Sequence, residues 1–229
     1  MLEHHVINLA PYRWIRKHKW SLLLIGIFAL LIISPMDEVF DNEDNLITPL
    51  TAAVVLAVTL GTTERRSIIS MVVALILMWT FVSIVTDGSG LIGGKSVLAP
   101  VLFLFVLLSV FMLLARWLLK AVYIDAQVLC AAVCGYLLIG IFWTGLYSVI
   151  LVYYPTGLTT DDPKITPCEL LYFSYTTLTT SGFGDITPKN PLLRMVTVME
   201  AIVGTFYNTI VIARFVGLYG LKPAPEVNP

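Results

Sequence analysis

The chain has 229 residues and a formal net charge of −1, with 58% hydrophobic residues, 13% charged residues and a mean hydropathy of +0.87. A water-soluble domain of this size carries about a quarter charged residues, so the surplus apolar surface has to face lipid. The sequence holds no basic footprint for nucleic acid, and His4, His5 and His18 all precede the first apolar run with no HExxH or serine-elbow pattern, which excludes the common enzyme signatures.

Crossing about 30 Å of hydrocarbon takes about twenty residues of helix. In chain order, six segments qualify: residues 20–36, 46–62, 67–86, 97–119, 126–154 and 192–219. Basic residues precede the first segment, as they would a signal peptide, but the following "SPMDEVFDNED" is bulky and acidic and offers no cleavage site, so a retained membrane helix is expected. Cys130 and Cys134 lie at i, i+4 in the fifth segment and read as small buried hydrophobes, and Cys168 falls in the loop beyond it.

The charges alternate between loops. Arg13, Arg16, Lys17 and Lys19 precede the first segment, Arg65 and Arg66 follow the second, Arg116 and Lys120 close the fourth, and Lys222 follows the sixth. Asp37, Glu38, Asp41, Glu43, Asp44, Asp87, Asp161 and Asp162 occupy the other loops. The positive-inside rule then puts both termini in the cytoplasm and opens the loop between the fifth and sixth segments outward.

That loop, residues 155–191, is long and apolar in its middle. "TPCELLYFSYTTLTT" reads as a short helix, with Thr166 as N-cap, Pro167 at the first helical position and Glu169 completing a capping box. About a dozen residues, or ~18 Å, reach halfway across a bilayer, so the helix is expected to be re-entrant and to end with unpaired carbonyls. After it comes "TTSGFGD", where Gly182 and Gly184 alternate with Ser181 and Phe183. Glycine at every second position allows successive carbonyls to point the same way, and irregular backbone at membrane depth is tolerated where it lines an aqueous path.

Thr179 to Asp185, "TTSGFGD", resembles the potassium-channel signature TTVGYGD, and "VMEAIVGTFYNTIVIARFVGLYG" resembles the inner helices of bacterial members of that superfamily. The resemblance spans about ninety residues, from Ala126 to Gly220. It implies an all-α membrane protein with six transmembrane helices and a re-entrant pore helix and filter loop between the fifth and sixth. Residues 1–125 would form a four-helix unit, 126–220 the pore domain and 221–229 a short cytoplasmic tail. The backbone carbonyls of Thr180, Ser181, Gly182 and Phe183, with the Thr180 hydroxyl and Gly184 closing the loop, would bind K+ in place of its hydration water, a device general to potassium channels. Asp185 would sit at the outer mouth and concentrate cations. Tyr172, Phe173, Thr176, Thr179 and Glu200 would support the filter, and four copies of the chain would complete the ring.

Two residues depart from the motif. Ser181 replaces Val and brings a hydroxyl that needs a partner; Phe183 replaces Tyr and has no hydroxyl to donate. With Tyr172 and Phe173 where many relatives have Trp, the filter is expected to be braced by aromatic packing more than by hydrogen bonds, and to be looser in selecting potassium over sodium. In the last segment Glu200, Gly204 and Asn208 share one helical stripe at i, i+4, i+8. Gly204 reads either as a hinge or as a close packing point, and Asn208 either as a cavity residue or as a hydrogen-bonding one. Glu200 reads as a hydrogen-bonding group behind the filter, with a proton-sensing gate as the alternative.

The expected function is a homotetrameric channel passing potassium passively across a bilayer, in a bacterial inner membrane, with no cofactor beyond the permeant ion. A weakly selective monovalent cation pore is the alternative; a transporter is less favoured because the two halves show no internal repeat. The ten residues after Tyr219, "GLKPAPEVNP", are too few for a nucleotide- or calcium-binding regulatory domain. The fourth segment has no charge before Arg116, and steep voltage gating needs several charges, each worth about 2.3 kcal/mol per 100 mV. Single-channel recording should therefore give an open probability almost flat with voltage, whereas a steep curve carrying several gating charges would contradict this reading.

Overall fold

The computed structural model describes residues 18–39, 98–159 and 165–219. The expected spans at residues 46–62 and 67–86 lie outside the described residues, as do loop charges such as Arg13, Arg65, Arg66, Asp87 and Lys222. The described chain forms five helices: α1 (Lys19–Val39), α2 (Leu98–Leu119), α3 (Ala126–Tyr153), α4 (Pro167–Leu178) and α5 (Pro191–Tyr219). An antiparallel pair, β1 (Leu158–Thr159) and β2 (Thr187–Pro188), registers Leu158 with Pro188 and Thr159 with Thr187.

Among the described residues, three stretches are long and apolar enough to cross a membrane: Pro100–Leu119, Ala126–Tyr153 and Pro191–Leu218. The apolar part of α1, Trp20–Ile33, is shorter than a full crossing, although the helix continues through Pro35 to Val39. The boundaries of α2, α3 and α5 agree with the sequence reading to within a residue, and α4 ends at Leu178, two residues before the end of the stretch read as helical. Asp125 caps α3 by accepting from Val128 N at 2.8 Å, and Asn190 Oδ1 accepts from Leu192 N at 2.8 Å beside Pro191 at the start of α5.

Helix α3 is the hub, packing against α1, α2, α4 and α5. On α2 the buried residues Leu102, Val106, Val110, Leu114 and Leu118 recur every fourth position, and on α1 Trp20, Leu23 and Ile27 follow the same helical period. Most of these residues meet Val128, Ala131, Cys134 and Leu138 of α3 in one apolar cluster. Cys134 is fully buried, as expected of a small hydrophobe, while Cys130 is half-buried with its sulfur 3.6 Å from Ser21 Oγ. A second cluster gathers Ile139, Trp143 and Tyr147 of α3 around Leu170, Phe173 and Leu178 of α4, with Leu158 of β1 and Leu193 of α5.

Lipid tails are as apolar as leucine, so helices in a bilayer are held together by close packing and by interhelical hydrogen bonds. Gly140 illustrates the first. A Cβ built there would lie 2.5 Å from Tyr175 Cε1, and the Tyr175 ring is fixed by its hydroxyl, which donates to Leu137 O at 2.8 Å. Gly140→Val should therefore lower stability by about 1–3 kcal/mol through overpacking. Thermal unfolding in detergent checks this; an unchanged midpoint would show that the α3–α4 contact yields without cost.

Candidate functional site

Helix α4 begins as its sequence dictates. Glu169 N donates to Thr166 Oγ1 at 3.2 Å and Thr166 N donates to Glu169 Oε2 at 2.9 Å, closing the capping box with Pro167 in the first turn. Its other end departs from expectation, because the last carbonyls are paired. Tyr175 O accepts from Thr179 N at 3.0 Å, Thr177 O from Thr180 N at 2.9 Å, and Thr176 O from both Ser181 N at 2.9 Å and Gly182 N at 3.1 Å. Leu178 O accepts from the Tyr136 hydroxyl of α3 at 3.1 Å. Carbonyls at the end of a helix enclosed by protein need such partners, and here the turn that follows and a neighbouring tyrosine supply them.

The loop after α4 alternates in backbone hand. Thr180, Gly182 and Gly184 have φ of 58°, 47° and 83°, and Thr180 is the one non-glycine residue with positive φ among the described residues. A Cβ added at Gly182 or Gly184 would meet nothing within 4 Å, so glycine is required there by conformation and not by space. At Thr180 a β-branched residue takes the same conformation at a cost of about 1–3 kcal/mol, the kind of strain that collects at functional sites.

The side chains around the loop form two braces. Tyr172 stacks on Phe183 with ring centroids 6.4 Å apart and planes 8° from parallel, and its hydroxyl donates to Asp185 Oδ2 at 2.7 Å. Asp185 Oδ1 accepts from Ile186 N at 2.9 Å. The second brace is the hydroxyl pair Thr179 and Ser181, 3.0 Å apart. Thr179 Oγ1 donates its single proton to Tyr175 O at 2.7 Å, so Ser181 is the donor within the pair. Ser181 thus has the partner its hydroxyl needs. The expectation of bracing by packing more than by hydrogen bonds is corrected: both operate, the phenol of Tyr172 reaching Asp185 across thirteen positions.

Behind the loop, Glu200 of α5 is fully buried and touches two hydroxyls, with Ser174 Oγ of α4 2.5 Å from Oε1 and Tyr147 OH of α3 2.5 Å from Oε2. Phe173 packs edge-on against Tyr147, with centroids 5.1 Å apart. The Thr176 hydroxyl bonds within its own helix, to Phe173 O at 3.0 Å; it is the Thr176 carbonyl that holds the loop. Gly204 meets the Leu178 carbonyl so closely that a Cβ would collide with it, which assigns this glycine to close packing in this conformation. Asn208, on the same stripe, is exposed.

A family model described as ion channel matches residues 128–219. Residues 128–219 form an ion-channel domain of the potassium-channel type. Comparisons with curated proteins and with solved structures return no match.

The ion-channel domain runs from the first turn of α3 to the end of α5, and so contains α4, the loop and every candidate site residue named from the sequence. Several of its fastenings escaped the sequence reading. Tyr136 and Tyr147 belong to α3, Ser174 to α4, and Tyr207 of α5 donates to Ala132 O of α3 at 2.6 Å. Arg214 of α5 reaches outside the domain, its Nη2 donating to the carbonyls of Leu118 at 3.2 Å, Leu119 at 2.8 Å and Ala121 at 3.1 Å. These carbonyls lie at and just beyond the C-terminal end of α2, where a guanidinium also complements the helix dipole. An ionisable residue inside an apolar span was the available signal for Arg214.

Tyr172 and Asp185 lie outside the spanning helices and are both solvent-exposed in the single chain. The Tyr172 hydrogen bond holds the Asp185 carboxyl below its ordinary value, and the same bond raises the Tyr172 phenol. A carboxylate lowered in the folded state adds stability above its unfolded value and loses it as pH falls through the folded value. Tyr172→Phe removes that bond and should move the Asp185 titration upward. Carboxyl NMR of labelled aspartate in nanodiscs measures the shift; an unmoved titration would show that the bond does not govern Asp185.

Proposed function

We propose that four copies of this chain assemble around an axis and pass potassium passively through a filter made of the carbonyls of Thr180, Ser181, Gly182 and Phe183 with the Thr180 hydroxyl. The observation that carries the reading is the alternation of positive φ at Thr180, Gly182 and Gly184. Left-handed backbone at every second residue turns successive carbonyls to one side, the arrangement needed to replace hydration water around a dehydrated cation. Asp185, one residue beyond, supplies negative charge at the outer mouth. Helix α4, twelve residues long, is too short to cross a bilayer and serves as the re-entrant pore helix.

The surface of α5 supports assembly. Only 11% of an 18-residue apolar stretch within Pro191–Leu218 is buried within one chain, against 61% of the corresponding stretch within Ala126–Tyr153. Alongside apolar Met199, Ile202 and Phe206, α5 leaves Asn208 exposed, and an amide is costly against lipid. A second copy and a water-filled cavity satisfy both kinds of surface, with Asn208 on the cavity side. Helix α2 carries no charge before Arg116, so the channel is not intrinsically voltage-gated. The resemblance to bacterial channels favours a bacterial inner membrane, and the loop charges of the sequence favour cytoplasmic termini.

A weakly selective pore for potassium and sodium is the second reading, favoured by Phe183, which has no hydroxyl to tie the filter to a neighbouring helix. Protein reconstituted in liposomes should carry a barium-sensitive potassium flux, and bi-ionic reversal potentials should favour potassium over sodium. Equal permeability would select the second reading, and absence of any cation flux would overturn both.

A further inference from the structure

The hydroxyls around Glu200 set a problem in proton counting. Ser174 Oγ lies 2.5 Å from Glu200 Oε1 and 2.8 Å from Gly140 O, both within hydrogen-bond length. A serine hydroxyl has one proton, and a backbone carbonyl only accepts. If Ser174 donated to an ionised Glu200, its oxygen would be left against the Gly140 carbonyl with no proton between them. If it donated to Gly140, it would face a carboxylate with none. One extra proton removes the conflict: Glu200 Oε1–H donates to Ser174 Oγ, and Ser174 donates to Gly140 O. On the other side Tyr147 OH donates to Glu200 Oε2, which as the carbonyl oxygen of a carboxylic acid accepts it.

The surroundings agree. The hydrogen-bond partners of Glu200, Ser174 and Tyr147, are both neutral, and Tyr175 is the other titratable group near it on α4. On α5 the Thr197 hydroxyl donates to Leu193 O at 2.8 Å. A fully buried carboxylate with no cationic partner among the described residues is costly, whereas a neutral acid with one donor and one acceptor contact is satisfied. We propose that Glu200 is held as a neutral carboxylic acid whose proton completes a directed chain through Ser174 to Gly140, fastening α4 to α3 and α5, and that alkaline pH opens the pathway's support by removing that proton. The mutual position of the helices depends on this proton because Ser174 and Gly140 belong to α4 and α3 while Glu200 belongs to α5. The effect on current rests on reading the loop after α4 as the ion path; the protonation state of Glu200 does not.

Infrared difference spectroscopy of the full chain in liposomes tests the two parts separately. The wild type should show the C=O stretch of a buried protonated carboxylic acid, lost on raising the pH and missing in Glu200→Gln. Absence of the band, or its persistence in Glu200→Gln, overturns the assignment even if the protein conducts no ions. For the functional part, potassium current should fall reversibly at alkaline pH in the wild type, and that fall should be lost in Glu200→Gln. The amide can donate to Ser174 Oγ and accept from Tyr147 OH with no proton to lose. Ser174→Ala, which breaks the chain at its middle, should lose the alkaline response as well. An alkaline fall of equal size in wild type and Glu200→Gln contradicts the proposed switch.

Discussion

A twelve-residue helix that stops inside an apolar bundle leaves its last carbonyls with no helical partner, and protein has to supply one for each. In this chain the requirement is met at Leu178 by Tyr136 and at Tyr175, Thr176 and Thr177 by the residues that follow. The chain therefore turns sharply where α4 ends, with Ser181 N and Gly182 N both drawn back to Thr176 O. The alternating hand of Thr180, Gly182 and Gly184 continues from that turn. The loop conformation thus depends on how α4 terminates, and α4 terminates where α3 and α5 allow.

The fastenings of α4 to its neighbours are of two kinds. Polar ones run through buried hydroxyls: Ser174 to Gly140 O and Glu200, Tyr175 to Leu137 O, and Tyr147 to Glu200. Steric ones need glycine, at Gly140 under the Tyr175 ring and at Gly204 under the Leu178 carbonyl. Gly204 places α5 directly against the last turn of α4, so a displacement of α5 is felt at the start of the loop. At its other end α5 holds the last carbonyls of α2 through Arg214. One helix therefore touches both the candidate ion path and the end of α2, which precedes the ion-channel domain.

Much of this was legible in the sequence where the signal is local. Thr166, Pro167 and Glu169 announce the start of α4, and long apolar runs mark α2, α3 and α5, with Asp125 and Asn190 at the starts of the last two. Gly182 and Gly184 indicate positive φ, and a carboxylate among apolar residues marks Glu200 as needing partners. The partners themselves were not legible. Tyr147 and Ser174 stand 53 and 26 positions from Glu200, on other helices, and nothing in their local sequence sets them apart from lipid-facing hydroxyls. Arg214 binds backbone carbonyls, which have no sequence signature. Thr180 shows no propensity for left-handed backbone, and it adopts that conformation because the turn after α4 imposes it. The β1–β2 pair is two residues long on each side, too short to display alternation.

The central claim is that the carbonyls between Thr180 and Phe183 coordinate a dehydrated alkali cation on an axis shared by four chains. Anomalous diffraction from crystals of the full chain grown in rubidium addresses it most directly. The account requires rubidium peaks in a row on a fourfold axis, each within coordination distance of these carbonyl oxygens. A loop lying away from any symmetry axis, or an axis without anomalous density beside these oxygens, would contradict it.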